Sequence, residues 1–230
     1  MNKRHSLIIG GNTSLSSSIL GTFTRNGHKV LSSYHDGKPE NMSIEWIKLD
    51  CNSDNSITSF TLECKRFPPI KNLIFLTGIL PGKSIQEYKF EDINKVVNIN
   101  FNSIAKIISS LANHFAPDSQ VLLMSSISGQ RGSFDPIYAA SKSAIIGLAK
   151  SLSQTLTPRT RTNIIAPGLV DQSSMFHEMK PERQEYHIQN NPLNKLLTKD
   201  SLAEMIYELT TEKWSHLNGA VIPVNGGSYV

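Results

Sequence analysis

Residues 7–20 read LIIGGNTSLSSSIL. An apolar run, Leu7-Ile8-Ile9, ends in the glycine pair Gly10-Gly11, and Leu15, Ile19 and Phe23 then follow at a four-residue step. That order is a buried strand, a tight turn and a helix with one apolar face. The same unit recurs outward along the chain. Short apolar runs stand at 5–10 (HSLIIG), 28–34 (HKVLSSY), 44–50 (IEWIKLD), 72–78 (NLIFLTG), 120–126 (QVLLMSS), 162–168 (TNIIAPG) and 219–227 (GAVIPVNGG). Helix-length segments at 14–26, 54–66, 90–115, 137–156 and 199–211 separate most of them. The alternation predicts an α/β protein: a Rossmann-type doubly wound parallel sheet of about seven strands with helices on both faces. No linker or repeat interrupts it, so residues 1–230 read as one domain.

Composition narrows the class further. Twenty-three Lys and Arg against nineteen Asp and Glu give +4, scattered apart from Arg159 and Arg161 beside Lys150, a weak argument for anionic ligands. Without a basic helix or an aromatic platform, nucleic acid is not expected as a partner. Cys51 and Cys64 have no His or Cys at ligand spacing, so the expectation is reduced structural thiols and no metal. No apolar run approaches the roughly 20 residues of a membrane span, and Met1–His5 leads into a strand without a signal-peptide pattern. A cytoplasmic protein without membrane attachment is expected. Residues 169–198 are the exception to the α/β rhythm, being polar and poorly periodic. They read either as a disordered insertion or as a lid, and their place after a strand's carboxyl end favours the lid.

Two polar residues interrupt apolar helical faces. Asn100 falls inside the stripe Ile93, Val96, Val97, Ile104, Ile107, Ile108, Leu111; it is either a structural amide bonded to backbone or a functional one. Lys142 lies about 40° from Tyr138 on the face that carries Ile145, Ala149, Leu152 and Leu156. Lys142 is either a snorkelling stem or half of an acid/base pair, in which the ammonium favours the phenolate and lowers the tyrosine pKa. The serines closing QVLLMSS, Ser126 among them, sit at a strand's carboxyl end, where serines commonly form turns.

Together these features resemble the short-chain dehydrogenase/reductase family, in register from about residue 6 to 228. Gly10 matches the first glycine of T-G-x-x-x-G-x-G, Asp50 the adenine-side Asp, Asn100 the central-helix Asn and Ser126 the Ser of S-x-x-G. Tyr138-Ala-Ala-Ser-Lys142 matches Y-x-x-x-K, and RTNIIAPGLV (161–170), NPLNKLLTKDSLAE (191–204) and LNGAVIPVNGG (217–227) match later family segments. The resemblance implies hydride transfer between a nicotinamide and a carbonyl or secondary alcohol. Tyr138 would exchange the proton, Lys142 would lower its pKa and hold the ribose, Ser126 would bond the carbonyl, and Asn100 would hold a relay water. It further implies cofactor contacts from Gly10, Asn12, Thr13, Ser14 and Leu15; from Ser33, Tyr34 and His35; from Asp50 and Cys51; from Thr77 and Gly78; and from Pro167, Gly168 and Val170, besides Tyr138 and Lys142. The nearest group is the 3-oxoacyl-[acyl-carrier-protein] reductases. That implies a small carbonyl or alcohol substrate, such as an acyl thioester, and a homodimer or homotetramer with Ile99, Phe101, Ile146 and Leu148 at its faces, although these could equally be core.

The sequence departs from the family on the cofactor side. Ser14 and Ser16 replace two glycines, Phe75-Leu76-Thr77-Gly78 stands for N-N-A-G, and Gln172 and Ser173 stand near the usual Thr after PGLV. Asn12, Thr13 and Ser14 are the cap candidates for the first helix. The second strand ends in Tyr34 where NAD-preferring members carry a carboxylate, which favours NADP(H) over NAD(H), with Ser33, Tyr34 and His35 around the 2'-phosphate; aligning Asp36 to that position reverses the preference. The competing reading is a non-catalytic nucleotide sensor or partner-binding protein on the same fold.

Overall fold

The computed structural model describes residues 4–41 and 43–229. Its strands are β1 (His5–Ile9), β2 (Lys29–Tyr34), β3 (Ile44–Lys48), β4 (Ile70–Phe75), β5 (Phe115–Met124), β6 (Thr160–Pro167) and β7 (Val221–Val224). Its α-helices are α1 (Ser16–Arg25), α2 (Asp54–Cys64), α3 (Phe90–Val97), α4 (Ser103–Leu111), α5 (Ser128–Arg131), α6 (Pro136–Thr155), α7 (Ser174–His177), α8 (Pro181–Gln189) and α9 (Lys199–Leu209). The seven strands form one sheet in the order β3-β2-β1-β4-β5-β6-β7, with every pair parallel. The chain winds from β1 out to β3, then crosses back to place β4 beside β1. The reversal leaves a crevice at the carboxyl ends of β1 and β4, where open α/β sheets bind ligands.

Alternation along each strand divides the core in two. Leu7, Ile9, Leu73, Phe75, Val121 and Leu123 face one cluster, closed by apolar residues of α2, α4 and α6. Ile8, Ile74, Leu122, Met124 and Ile165 face the other, closed by Ile19, Leu20 and Phe23 of α1 and by Leu202, Ala203, Ile206 and Leu209 of α9. Successive strand side chains point to opposite faces, so both faces of every central strand must be apolar, and these are. Ile99, Phe101, Ile146 and Leu148 are partly buried against the first cluster. Cys51 and Cys64 are free and buried, and burial pushes the Cys64 thiol up to about 12. No described helix is long and apolar enough to cross a membrane.

Three local expectations change. The first helix begins at Ser16 rather than 14, and none of Asn12, Thr13 or Ser14 caps it. The segment 90–115 is not one helix: α3 and α4 are joined by a π-helical stretch, Asn98–Asn102, where the Ser103 N–H reaches back five residues to the Asn98 carbonyl. Helical periodicity cannot reveal that inserted residue, because the apolar stripe continues on both sides of it. The end of the segment is strand, since Phe115 is fully buried in the first cluster and opens β5. The Arg159 and Arg161 pair is partly engaged by backbone carbonyls. Arg159 donates to the Phe115 carbonyl and Arg161 to those of Trp214 and Leu217, tying loops below the sheet.

At the amino end of β1, His28 is buried. Its Nδ1 is 2.7 Å from Ser6 Oγ, and its ring meets Phe23 and Tyr207 edge to face. Burial, then the charge of Arg4, pushes its pKa down from 6.5 to about 4. The folded protein therefore holds His28 neutral while the unfolded chain takes up a proton below about 6.5. Stability from this group is complete above pH 6.5, falls as the pH drops toward 4, and levels off below, a loss on the order of 3 kcal/mol. Urea unfolding of the wild type and H28Q from pH 7 to 4 checks this. The slope against pH should be shallower in H28Q, and equal slopes contradict the assignment.

Candidate active site

The crevice is built from the turns that follow β1, β4 and β5. After β1, Gly10 adopts φ +91°, a conformation open to glycine and strained for other residues. Its N–H donates to Ser33 Oγ at 2.8 Å, and a Cβ there would press on the Thr77 backbone N at 3.1 Å. The two serines behave differently. Ser16 is buried and its hydroxyl works inside the turn, donating toward the Gly11 and Thr13 carbonyls and accepting from the Thr13 N–H. Ser14 turns the other way: its Oγ accepts from the Ser174 N–H at 2.8 Å and lies 3.1 Å from Ser174 Oγ, joining the turn to the start of α7.

After β4, Gly78 lies where a Cβ would come within 3.0 Å of Lys142 Nζ. Lys142 is only 4% exposed, and its ammonium donates to the Met124 carbonyl at 3.0 Å. An ammonium has three donors, so two are open to a partner in the crevice. Burial pushes its pKa down to about 8 because low-polarity surroundings disfavour the charged form. Thr77 Oγ1 is buried at the same edge, beside the Cys51 thiol. Asn100 is fully buried at the centre of the π-helical stretch. Its side chain brackets the Ile79 peptide, accepting from Ile79 N at 2.8 Å and donating to Ile79 O at 3.0 Å, and donates to Ser141 Oγ.

After β5, Ser126 Oγ accepts from the Ser128 N–H at 3.1 Å, leaving its own hydrogen free to donate. Ser125 donates to the Lys142 carbonyl, and Gly129 lets α5 lie on α6, since a Cβ there would meet the Lys142 backbone at 2.8 Å. Asp135 caps α6 by accepting from the Tyr138 N–H, with Pro136 at the first turn. Tyr138 is 6% exposed, and Lys142 Nζ lies 5.8 Å from its ring centroid. Burial pushes the Tyr138 phenol up, Ser126 pulls it back, and the Asp135 charge pushes it up again. This corrects the expectation that Lys142 holds the phenol down. In the protein alone, desolvation dominates.

Ser126, Tyr138 and Gly168 line a cleft of about 880 Å3. Residues of the 169–198 segment line it too; the segment is folded as α7 and α8, and its two ends are paired by a parallel bridge from Val170 to Leu197. A buried proton donor, a second hydroxyl and a buried amine thus meet at the switch point of a doubly wound sheet. Residues 11–229 match the family model described as enoyl-(acyl carrier protein) reductase. The chain belongs to the short-chain dehydrogenases/reductases. Over 218 residues it is 29% identical to a 3-oxoacyl-[acyl-carrier-protein] reductase of Buchnera aphidicola subsp. Baizongia pistaciae, covering 92% of this chain and 86% of that protein. It is 24% identical to an acetoacetyl-CoA reductase of Allochromatium vinosum, covering 99% of each. The crystal structure of a short-chain dehydrogenase/reductase from Brucella melitensis superimposes with a TM-score of 0.90 at 26% identity, covering 99% of this chain and 97% of that one. As a family member the chain is an oxidoreductase of C=O and CH–OH groups, which disfavours the non-catalytic reading.

In this short-chain dehydrogenase/reductase, Gly10, Thr77, Gly78, Asn100, Ser126, Tyr138 and Lys142 converge on the crevice. The remaining cofactor-side residues divide. Asn12 donates to the Asp36 and Gly37 carbonyls, and so braces the β1 turn against the turn after β2. Thr13 serves the turn through its backbone, and Leu15 packs on the second core cluster. Ser33 is buried, and its hydroxyl accepts from the Gly10 N–H, bracing the β1 turn against β2. Tyr34 ends β2 half-buried; His35 Nδ1 pairs with Asp36 at 2.7 Å, and its Nε2 lies 3.9 Å from Asp50. Cys51 is buried, and Ser103 and Thr77 pull back the upward push that burial gives its thiol. Pro167 ends β6, a Cβ at Gly168 would meet Asn225 Cα at 3.2 Å, and Val170 is buried. Sequence reasoning passes over Asp135, Ser141 and Ser174. Asp135-Pro136 is a legible helix-start signal, whereas the other two acquire meaning only through partners far along the chain.

Proposed function

We propose that this enzyme reduces the ketone of a 3-oxoacyl thioester with NADPH. The observation that carries the reading is the pairing of Tyr138 with Lys142 on the buried face of α6, beside Ser126, at the base of the 880 Å3 cleft. The glycine cradle at Gly10 and Gly78 and the two open donors of Lys142 fit a dinucleotide. Lys142 would hold the ribose hydroxyls, with the β1 turn and the α1 amino end at the pyrophosphate. When bound, the nicotinamide supplies the hydride. Tyr138, kept as a phenol by its surroundings, gives its proton to the substrate oxygen, and Ser126 donates a hydrogen bond to the same oxygen. Asn100 holds the 78–79 backbone against α6 through Ser141. Segment 169–198 is the lid, and Ser14 fastens it to the β1 turn.

Two further observations support the finer assignments. Tyr34, not a carboxylate, closes β2, and the following Asp36 is paired with His35; both favour NADPH. The thioester rests on the relatives, and the cleft is at the large end of small-molecule sites. Initial rates with NADPH or NADH against acetoacetyl-CoA and a panel of simple ketones test the proposal. NADPH with the thioester is expected to exceed every other combination in kcat/KM by about tenfold or more. An NADH preference reassigns the cofactor, and no consumption across the panel overturns the reading.

A further inference from the structure

An N-cap requires one acceptor, and serine or asparagine supplies it. Asp135 does more than cap α6. Its Oδ1 accepts from the Tyr138 N–H at 2.9 Å and the Tyr88 hydroxyl at 2.7 Å; its Oδ2 accepts from the Gly82 N–H at 2.9 Å and the Lys83 N–H at 3.2 Å. The donors come from two segments, the helix that bears Tyr138 and residues 82–88, and Leu80, Pro81 and Gly82 line the same cleft as Tyr138. Only a carboxylate, with acceptor sites on both oxygens and no donor, satisfies such a set; an asparagine would turn its NH2 group onto donors at one oxygen. The carboxylate is 2% exposed. Among the described residues no cation pairs with it, because Lys83 is committed to Asp92 at 2.6 Å.

We propose that Asp135 is a positioning residue for proton transfer, fixing Tyr138 against the 80–83 wall through one buried carboxylate shared by both. This rests on the reductase reading. The same charge bears on both phenols it adjoins, pushing up Tyr88, after burial, as well as Tyr138. The proton donor is thereby kept loaded, which suits reduction of a carbonyl. The other charged groups around Tyr138 are Lys142 on its own helix, Lys83 with Asp92 on the wall side, and Arg131 on α5. Glu178, Lys180, Glu182, Arg183 and His187 line the cleft from the 169–198 segment. Of all these, Asp135 is the charge that moves the Tyr138 phenol.

The test compares D135N and D135S with the wild type by two readouts. The first is the ultraviolet titration of tyrosinate, with the Tyr138 signal isolated as the difference from Y138F, which requires no turnover. The second is kcat and KM for acetoacetyl-CoA with NADPH across pH. Both variants retain a capping side chain. The Tyr138 ionisation is expected to move to lower pH, and kcat to fall about tenfold with the KM for NADPH unchanged. Wild-type titration and kcat in D135S would reduce Asp135 to a helix cap and overturn the proposal. Failure of both variants to fold would assign Asp135 to stability alone and overturn it equally. If the wild type reduces no ketone, the reductase reading fails, while the tyrosinate titration still decides whether Asp135 controls Tyr138.

Discussion

Tyr138→Phe is expected to reduce kcat by about 10²- to 10⁴-fold, the usual share of a positioned general acid, while leaving the fold intact. The ring packs within 6% exposure and its backbone N–H is held by Asp135; neither depends on the hydroxyl. Removing that one oxygen takes away the proton donor and nothing that the core uses. NADPH affinity should change little, because Lys142 and the glycine turns persist. Initial rates, a thermal melt and NADPH fluorescence titration together check this. A Y138F enzyme with wild-type kcat excludes Tyr138 as the donor, whereas joint loss of activity and melting temperature makes the residue structural.

Lys142→Met carries the second large effect, and its two consequences have opposite signs. Turnover should fall by at least about 10²-fold and NADPH binding should weaken, since the two donors proposed to hold the ribose disappear. Stability of the protein without cofactor should rise. The ammonium is buried with one hydrogen bond, to Met124 O, and its pKa is lowered from 10.5 to about 8. The destabilisation is full below about pH 8, where folded and unfolded chains both hold the proton, and fades as the pH rises toward 10.5. At pH 7, replacing the amine with an apolar side chain of similar length should recover on the order of 1 to 3 kcal/mol, reduced by the lost hydrogen bond. Chemical denaturation at pH 7 and pH 10 reads this directly, because the gain should shrink at the higher pH. A destabilised K142M would show that the amine serves the fold. Stability given up for a reactive group is a common property of functional sites.

The β1 turn shows why part of the site is not legible along the chain. Ser14 and Ser16 both stand where the family carries glycine, and the sequence alone does not tell them apart. Ser16 is a buried tie within its own turn, and Ser14 a link to Ser174, 160 residues away. The Asn100 side chain is legible as a buried amide, but its partners, Ile79 in the loop after β4 and Ser141 on α6, are ones no helical pattern can name. The Tyr138 acidity is hidden for a related reason: spacing reveals the nearby Lys142, but desolvation depends on what surrounds both. Asp135 is legible only as a cap, because three of its four donors come from residues 82–88.

What the sequence by itself determined is what repeats or lies close along the chain. Alternating apolar runs and helical stripes specify seven strands and their covering helices, since burial on both sheet faces demands that pattern. The four-residue step from Tyr138 to Lys142 places both on one face, since the helical repeat demands it. Only the tertiary structure decided the protonation of those two groups, the partners of Ser14 and Asn100, and the convergence on Asp135. Each depends on distances between segments far apart in sequence and on how completely water is excluded where they meet.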